Sequence, residues 1–344
     1  MALIDFKVLP GIDKQDTTSG AENSWVDCDN TRFRYGLPEK VGGWSSLITD
    51  TIVGVARREF AFVDLDGNRY VAIGTDKFLL IYFEGQLYDI TPLKTTLTSA
   101  TLATTNTSAI CSITTGTNHN LSVGDIVLLD TVTLPVGTGY VDADFENKLF
   151  QVTSITSATV FTITQSTAAT ATVGTGGSLS VKPYEQVGPA EQSYGYGWGI
   201  DTWSSGKWGE AASASDVSLE PGLWSLSNFG QVLVATIANG KTFTWNAGDA
   251  ARLTTRASTA TSGFETTNNP TATRITLVSP TTRHLIHLGT ETTIGDPTTQ
   301  DDMFIRFSDQ EDINDYVPTA INSAGSQRLQ DGTRIIGALK AKES

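Results

Sequence analysis

Short apolar runs separated by turn-forming residues dominate the chain between Thr51 and Pro92. Residues 52–56, 58–63, 69–74 and 78–83 each have the length and composition of a strand, and residues 86–92 follow the Glu84-Gly85 turn. Asp66-Gly67, between the second and third runs, accepts positive φ and so favours a tight hairpin. The pattern returns twice. Residues 222–236 lead through Asn239-Gly240 to residues 241–245, and residues 274–279, 284–290 and 303–308 make up a third unit. Each unit has an apolar strand, a strand ending near Gly-Thr or Ala-Thr, and an aromatic outer strand. Degenerate repeats of about 45 to 50 residues predict blades of a β-propeller. Three such units fall short of a ring, which closes with roughly four to eight blades.

Residues 96–181 read differently, being rich in Thr, Ser, Ala and Gly with few charges. The turn His119-Asn120-Leu121-Ser122-Val123-Gly124-Asp125 precedes the apolar run Ile126-Val127-Leu128-Leu129, and Val152-Thr153-Ser154-Ile155-Thr156 and residues 159–163 supply further strands. The segment resembles small SH3-like β-barrel inserts of phage structural proteins. An insert is tolerated in a surface connection because its ends lie close together. The chain is therefore expected to be all-β, with β-propeller-like blades and an inserted small SH3-like β-barrel. The expected divisions are an N-terminal arm and first blade over residues 1–95, the barrel over 96–183, and further blades over 184–344. Residues 333–344 read as the opening strand of another blade without its hairpin partner, as expected of a truncated product or the first piece of a split protein.

Composition supports this class. Hydrophobic residues make up 39% of the chain and charged residues only 17%, against roughly 25% charged in an average soluble protein. No run carries the Ala, Leu, Glu, Lys and Arg periodicity of a long helix. This balance suits an extracellular or virion β-protein better than a helical cytosolic enzyme. The net charge of −14 argues against a sequence-reading nucleic-acid protein, because phosphate affinity comes from Lys and Arg displacing counterions. The acidity suits a channel through which DNA slides, and an ordinary soluble protein equally. Met1 is followed by no basic and apolar leader pattern, so no signal peptide is expected. No stretch approaches the roughly 18 apolar residues of a membrane span, so no membrane insertion is expected.

Candidate chemistry is sparse. Cys28 and Cys111 offer no disulfide framework or metal spacing; Cys111 reads as a core residue and Cys28 as a loop thiol. His119 reads as a turn histidine bonding local backbone. His284 and His287, three apart, point to opposite faces of a strand, which spoils a joint metal site. No catalytic, metal or cofactor residue is therefore nominated. Asp301-Asp302 and the acids Asp309, Glu311 and Asp312 are the best case for an enzyme, because glycoside hydrolysis needs two carboxylates across a sugar. The surrounding residues 307–318 read instead as a turn crowded with side chains that bond local backbone. The aromatic-glycine run holding Tyr194, Tyr196, Trp198, Trp203 and Trp208 is either a stacking platform for sugar or single strands, or an interface or channel-rim loop. Its single Lys207 argues against strong phosphate binding.

The opening of the chain carries the most distinctive phrase. Pro10-Gly11 and Trp25 precede Arg32-Phe33-Arg34, an alternating strand that breaks at Gly36-Leu37-Pro38 and runs through Glu39-Lys40-Val41 to Gly42-Gly43-Trp44. This phrase resembles the start of tail nozzle, or tail tube B-like, proteins of short-tailed bacteriophages. Ser308-Asp309-Gln310-Glu311-Asp312, then Tyr316 and Pro318-Thr319, followed by Asn322-Ser323-Ala324-Gly325, resembles a second motif of that family, with Tyr316 where tryptophan is commoner. The resemblance implies a non-enzymatic virion protein, assembled in the host cytoplasm, of which six copies form a tapered tail tube. It implies a head–tail adaptor and other tail proteins as partners, no cofactor, and double-stranded DNA passing through the lumen without sequence readout. The alternatives are a glycan-binding tail adhesin that uses the aromatic-glycine run, and a polysaccharide-degrading virion enzyme.

Overall fold

The computed structural model describes residues 8–46, 48–192, 220–258 and 269–340. It forms two compact units, Met1–Thr49 and Asp50–Ser344. The first contains an antiparallel hairpin of β1 (Thr31–Arg34) and β2 (Leu37–Lys40). Tyr35 and Gly36 between them have φ of 51° and 79°, a two-residue turn whose twist matches that of the strands. The expected Gly-Leu-Pro turn is thus confined to Tyr35-Gly36, and Leu37 and Pro38 are already paired strand. Register explains how a proline fits. Arg34 pairs with Leu37 beside the turn and Phe33 with Pro38 next to it, which makes Phe33–Pro38 a non-hydrogen-bonded pair that needs no N–H. Arg32 bridges Glu39 across the ribbon at 3.1 Å, and Trp25 packs 6.4 Å from Phe33.

The second unit is built from antiparallel meanders and a barrel. The first sheet runs β3 (Ala56–Val63), β4 (Arg69–Thr75), β5 (Leu79–Phe83) and β6 (Gln86–Asp89) in order. The second is β13 (Trp224–Phe229), β14 (Val232–Ile237) and β15 (Thr242–Asn246), and the third β16 (Thr273–Val278), β17 (Leu285–Thr290), β18 (Phe304–Phe307) and β19 (Gly325–Arg328). Between the first and second sheets, β7 (Leu97–Thr104), β8 (Ile110–Thr114), β9 (Ile126–Thr133), β10 (Lys148–Ser157), β11 (Val160–Thr164) and β12 (Val173–Pro183) close a six-stranded barrel. The fold is all-β, with blade-like sheets and one closed barrel.

Several details differ from the sequence reading. Of residues 52–56 only Ala56 is in a strand. Gly54 sits at φ 91°, and Val55 N donates to Asp76 Oδ1 at 2.6 Å instead of to a neighbouring strand. Asp66-Gly67 does not close a two-residue hairpin, because Val63 pairs with Arg69. The five intervening residues wrap around Asp64, whose carboxylate accepts from the Asp66 and Asn68 amides and the Asn68 side chain at 2.8–2.9 Å. The third sheet gains β19, whose polar Gly-Ser-Gln-Arg sequence gives no apolar signal. Residues 333–340 are irregular and not an opening strand, as they lie in no ladder.

The cores follow the apolar runs. β5 is apolar without alternation and is buried on both faces. Leu79, Ile81 and Phe83 join Phe62, Tyr70, Leu233, Phe243 and Trp245 between the first and second sheets. Phe78 and Leu80 face the other way, onto Ile126 and Leu128 of the barrel and Tyr184. Val234, Val278, Leu285, Ile313 and Tyr316 fill the space between the second and third sheets. There threonines replace hydrocarbon, with Thr236 Oγ1 2.8 Å from both Thr242 Oγ1 and Thr276 Oγ1. The barrel has its own core, which includes Cys111, Phe145, Phe161 and Val181.

Candidate functional site

The leading strands of the three sheets meet, β13 touching β3 on one side and β16 on the other. Ser225 Oγ, on β13, donates to Thr276 O at 2.8 Å and accepts from Thr276 N. Trp224 Nε1 donates to Thr75 O at 3.0 Å, and Gly74 leaves room for the indole, since a Cβ there would stand 2.6 Å from it. Beside these strands opens a cleft of about 1120 Å³ lined by Arg58, Glu220, Arg274, Asp302, Arg328 and Arg334, among others. Five of its charged residues, Glu220, Arg274, Asp302, Arg328 and Arg334, enter ion pairs. Arg274 binds Glu220 and stands 3.7 Å from Asp302, Arg334 also binds Glu220, and Arg328 Nε donates to Asp301 at 2.6 Å. Burial pushes the Glu220 carboxyl up, but the hydrogen bonds and charges of Arg274 and Arg334 outweigh it and hold it below its ordinary range. Such a lattice ties the strands to Arg334 in the irregular segment that follows β19.

The second family-like motif forms a loop after β18. Ser308 is buried and its Oγ accepts from Leu285 N at 3.0 Å. Asp309 Oδ1 accepts from Ser323 Oγ at 2.6 Å and from the Ser323 and Gln310 amides at 2.8 Å each. The Ser323 bonds hold its carboxyl below the usual carboxylate range. Glu311 stands 3.8 Å from Arg283, and Asp312 Oδ1 accepts from the Asn314 amide. Tyr316 is buried, and its hydroxyl meets His287 Nε2 at 2.9 Å while Thr273 Oγ1 meets His287 Nδ1 at 2.9 Å. Asp309 and Asp312 thus organise local backbone while Glu311 faces Arg283, and the Asp309 carboxyl, held low, is poorly suited to the proton donor of a glycosidase.

The histidines follow suit. His119 Nε2 meets Ser157 O at 3.0 Å and its Nδ1 accepts from Leu121 N. His284 Nδ1 meets Ser308 O at 2.8 Å. Among the described residues no group of three or more His, Cys, Asp or Glu side chains could hold a metal, and no helix is long and apolar enough to cross a membrane.

Arg32, Phe33, Arg34, Gly36, Pro38, Lys40, Gly42, Gly43 and Trp44 all belong to the first compact unit, and Ser308, Asp309, Glu311, Asp312 and Tyr316 to the second. Tyr194, Tyr196, Trp198, Trp203 and Trp208 lie outside the described residues. The ionic cleft was not visible in sequence, since Glu220 stands 54 positions from Arg274 and 114 from Arg334. Also unforeseen is a clamp at the barrel's foot. Tyr184 donates to Asp89 Oδ2 at 2.6 Å and accepts from Arg256 at 2.6 Å. Arg256 in turn stands 3.0 Å from Asp89 and 4.7 Å from the Tyr184 ring centre. Burial and then the Asp89 charge push the Tyr184 phenol up.

No family model and no curated protein matches the sequence. Among solved structures it is similar to the Phage phi92 endosialidase at 14% identity, over 78% of this chain and 36% of that one, with a TM-score of 0.23. The chain thus spans about a third of that protein's length, and a likeness at this TM-score carries no argument about the fold or activity of the present chain.

Proposed function

We propose that the chain is a structural component of a phage tail, a ring-forming nozzle or tail tube that retains packaged DNA and conducts it out. The observation that carries this reading is the order of its motifs, with the Arg32–Trp44 phrase before the blades and the 308–325 phrase within the third sheet. The geometry supports a scaffold role for the second phrase, because its acids are spent on backbone amides, on Ser323 and on Arg283. The wall of such a tube benefits from excess carboxylate, which gives DNA a weakly repulsive surface. In this reading six copies close a heterologous ring between the adaptor above and further tail proteins below.

Particles assembled without the chain test this reading. A nozzle predicts heads that fill and then lose their DNA. Heads that keep their DNA and fail only to adsorb would replace this reading with a receptor-binding one.

A further inference from the structure

Thr273, His287, Thr290 and Tyr316 have no exposure to solvent, and their side chains form one line of hydrogen bonds. Thr290 Oγ1 donates to Ala272 O at 3.0 Å. It also stands 2.9 Å from Thr273 Oγ1, which stands 2.9 Å from His287 Nδ1. His287 Nε2 in turn stands 2.9 Å from the Tyr316 hydroxyl. Each hydroxyl has one hydrogen and a neutral imidazole has one, so every bond in the line has a single hydrogen to use. The line ends on a carbonyl, which only accepts, and this fixes every direction. Thr273 donates to Thr290, His287 Nδ1–H to Thr273, and Tyr316 O–H to His287 Nε2.

A second proton on the imidazole does not fit this line. Nε2–H would face the Tyr316 hydroxyl, whose own hydrogen would then lose its buried acceptor. The new charge would also stand beside Arg306, which pairs with His287 across β17 and β18. Both ring nitrogens are taken by hydroxyls, so no carboxylate balances a charge there. The Glu291 carboxyl, which acts on Arg306, accepts instead from the Thr271, Ala272 and Gly295 amides at 2.6–2.7 Å. The Asp312 charge reaches Tyr316 from within its own segment. On the other sides β16 presents Thr276 opposite His287, and the second sheet presents Val234 and Thr236. Three members of the line sit on the third sheet, Thr273 on β16 and His287 and Thr290 on β17. Tyr316 alone belongs to the irregular segment between β18 and β19, so it can leave while the ladder stays.

We infer that Tyr316 is a proton-sensitive latch: uptake of a proton by His287 releases it, and with it residues 309–323, from the space between the second and third sheets. The neutral relay holds the latch shut. Ile313, which packs with Tyr316 against Val234, Val278 and Leu285, leaves with it. Opening takes up one proton, so below the ordinary histidine value of about 6.5 it becomes about tenfold easier per pH unit. The sign follows from the closed latch, which holds the imidazole at a pKa of about 3.

The test follows the full chain by NMR from pH 7 to about 5, above the ordinary carboxylate values near 4. At pH 7 the His287 ring should show the Nδ1–H tautomer; a proton on Nε2 would overturn the relay. The Asp309 and Glu311 amides bond Asp315 O and Arg283 O. Their protection, corrected for intrinsic exchange, should fall at least tenfold across the range and stay below that of the β17 amides throughout. His287→Gln should abolish the fall. His284 also touches the segment, at Ser308 O, and His284→Gln should leave the fall in place. A flat wild-type response, or the same fall in His287→Gln, would overturn the latch. So would protection equal to that of β17 at every pH, since opening would then be global. If His287→Gln does not fold, the tautomer and the wild-type response decide the matter alone.

Discussion

His287 is held between Thr273 and Tyr316 with no exposure to solvent. Burial, and then the neighbouring Arg306 charge, lower its pKa to about 3. Above pH ~6.5, the ordinary histidine value, the imidazole is neutral in both folded and unfolded chains and its contribution is complete. As pH falls from there toward 3 the unfolded chain takes up a proton that the folded chain refuses, and stability is lost. Urea midpoints measured between pH 7 and 3 should therefore fall more steeply for wild type than for His287→Gln; parallel curves would contradict the assignment. Tyr316→Phe leaves the buried Nε2 without its partner and should cost about 1–3 kcal/mol at neutral pH. The sequence did show His119 as a turn residue and Cys111 as core, because their settings are local. It did not show the His287 triad, whose members are 14 and 29 positions away.

At the scale of elements, the apolar runs located most of the blade strands because each buries at least one face. The reading failed where another interaction decided the geometry. Asp64 reshaped a hairpin into a five-residue loop, Asp76 captured Val55 N, and pairing with β18 made a strand of a polar segment. Two contacts that join elements can be tested directly. Gly74→Ala puts a methyl into the Trp224 side chain, the packing point of the first and second sheets, and should destabilise by about 1–3 kcal/mol, read from chemical denaturation. Arg57 donates to the carbonyls of Pro189, Ala190 and Gly222. Arg57→Ala should speed amide exchange at Gly222, which donates to Pro189 O at 2.9 Å; unchanged exchange would show that the guanidinium does not pin this crossing.

For the whole molecule, composition and repeats pointed to an all-β chain with blades, and the resemblance carried by residues 96–181 to a barrel, but none of them to how the barrel is held. That depends on Ile126, Leu128 and Tyr184 against Phe78 and Leu80, and on the Tyr184–Asp89–Arg256 clamp. These residues come from distant segments, and no local pattern joins them. Arg256→Ala removes bonds to Asp89, Thr91 O and Tyr184, each worth about 1.5–3 kcal/mol when a charged group takes part. It should loosen the barrel before the sheets melt, seen as early exchange at the end of β12. The central claim concerns assembly, and the most direct measurement is the symmetry of the chain within the intact particle by cryo-electron microscopy. The account predicts a six-fold ring around a channel wide enough for duplex DNA, on the order of 20 Å. A trimeric spike at the tail periphery would contradict it.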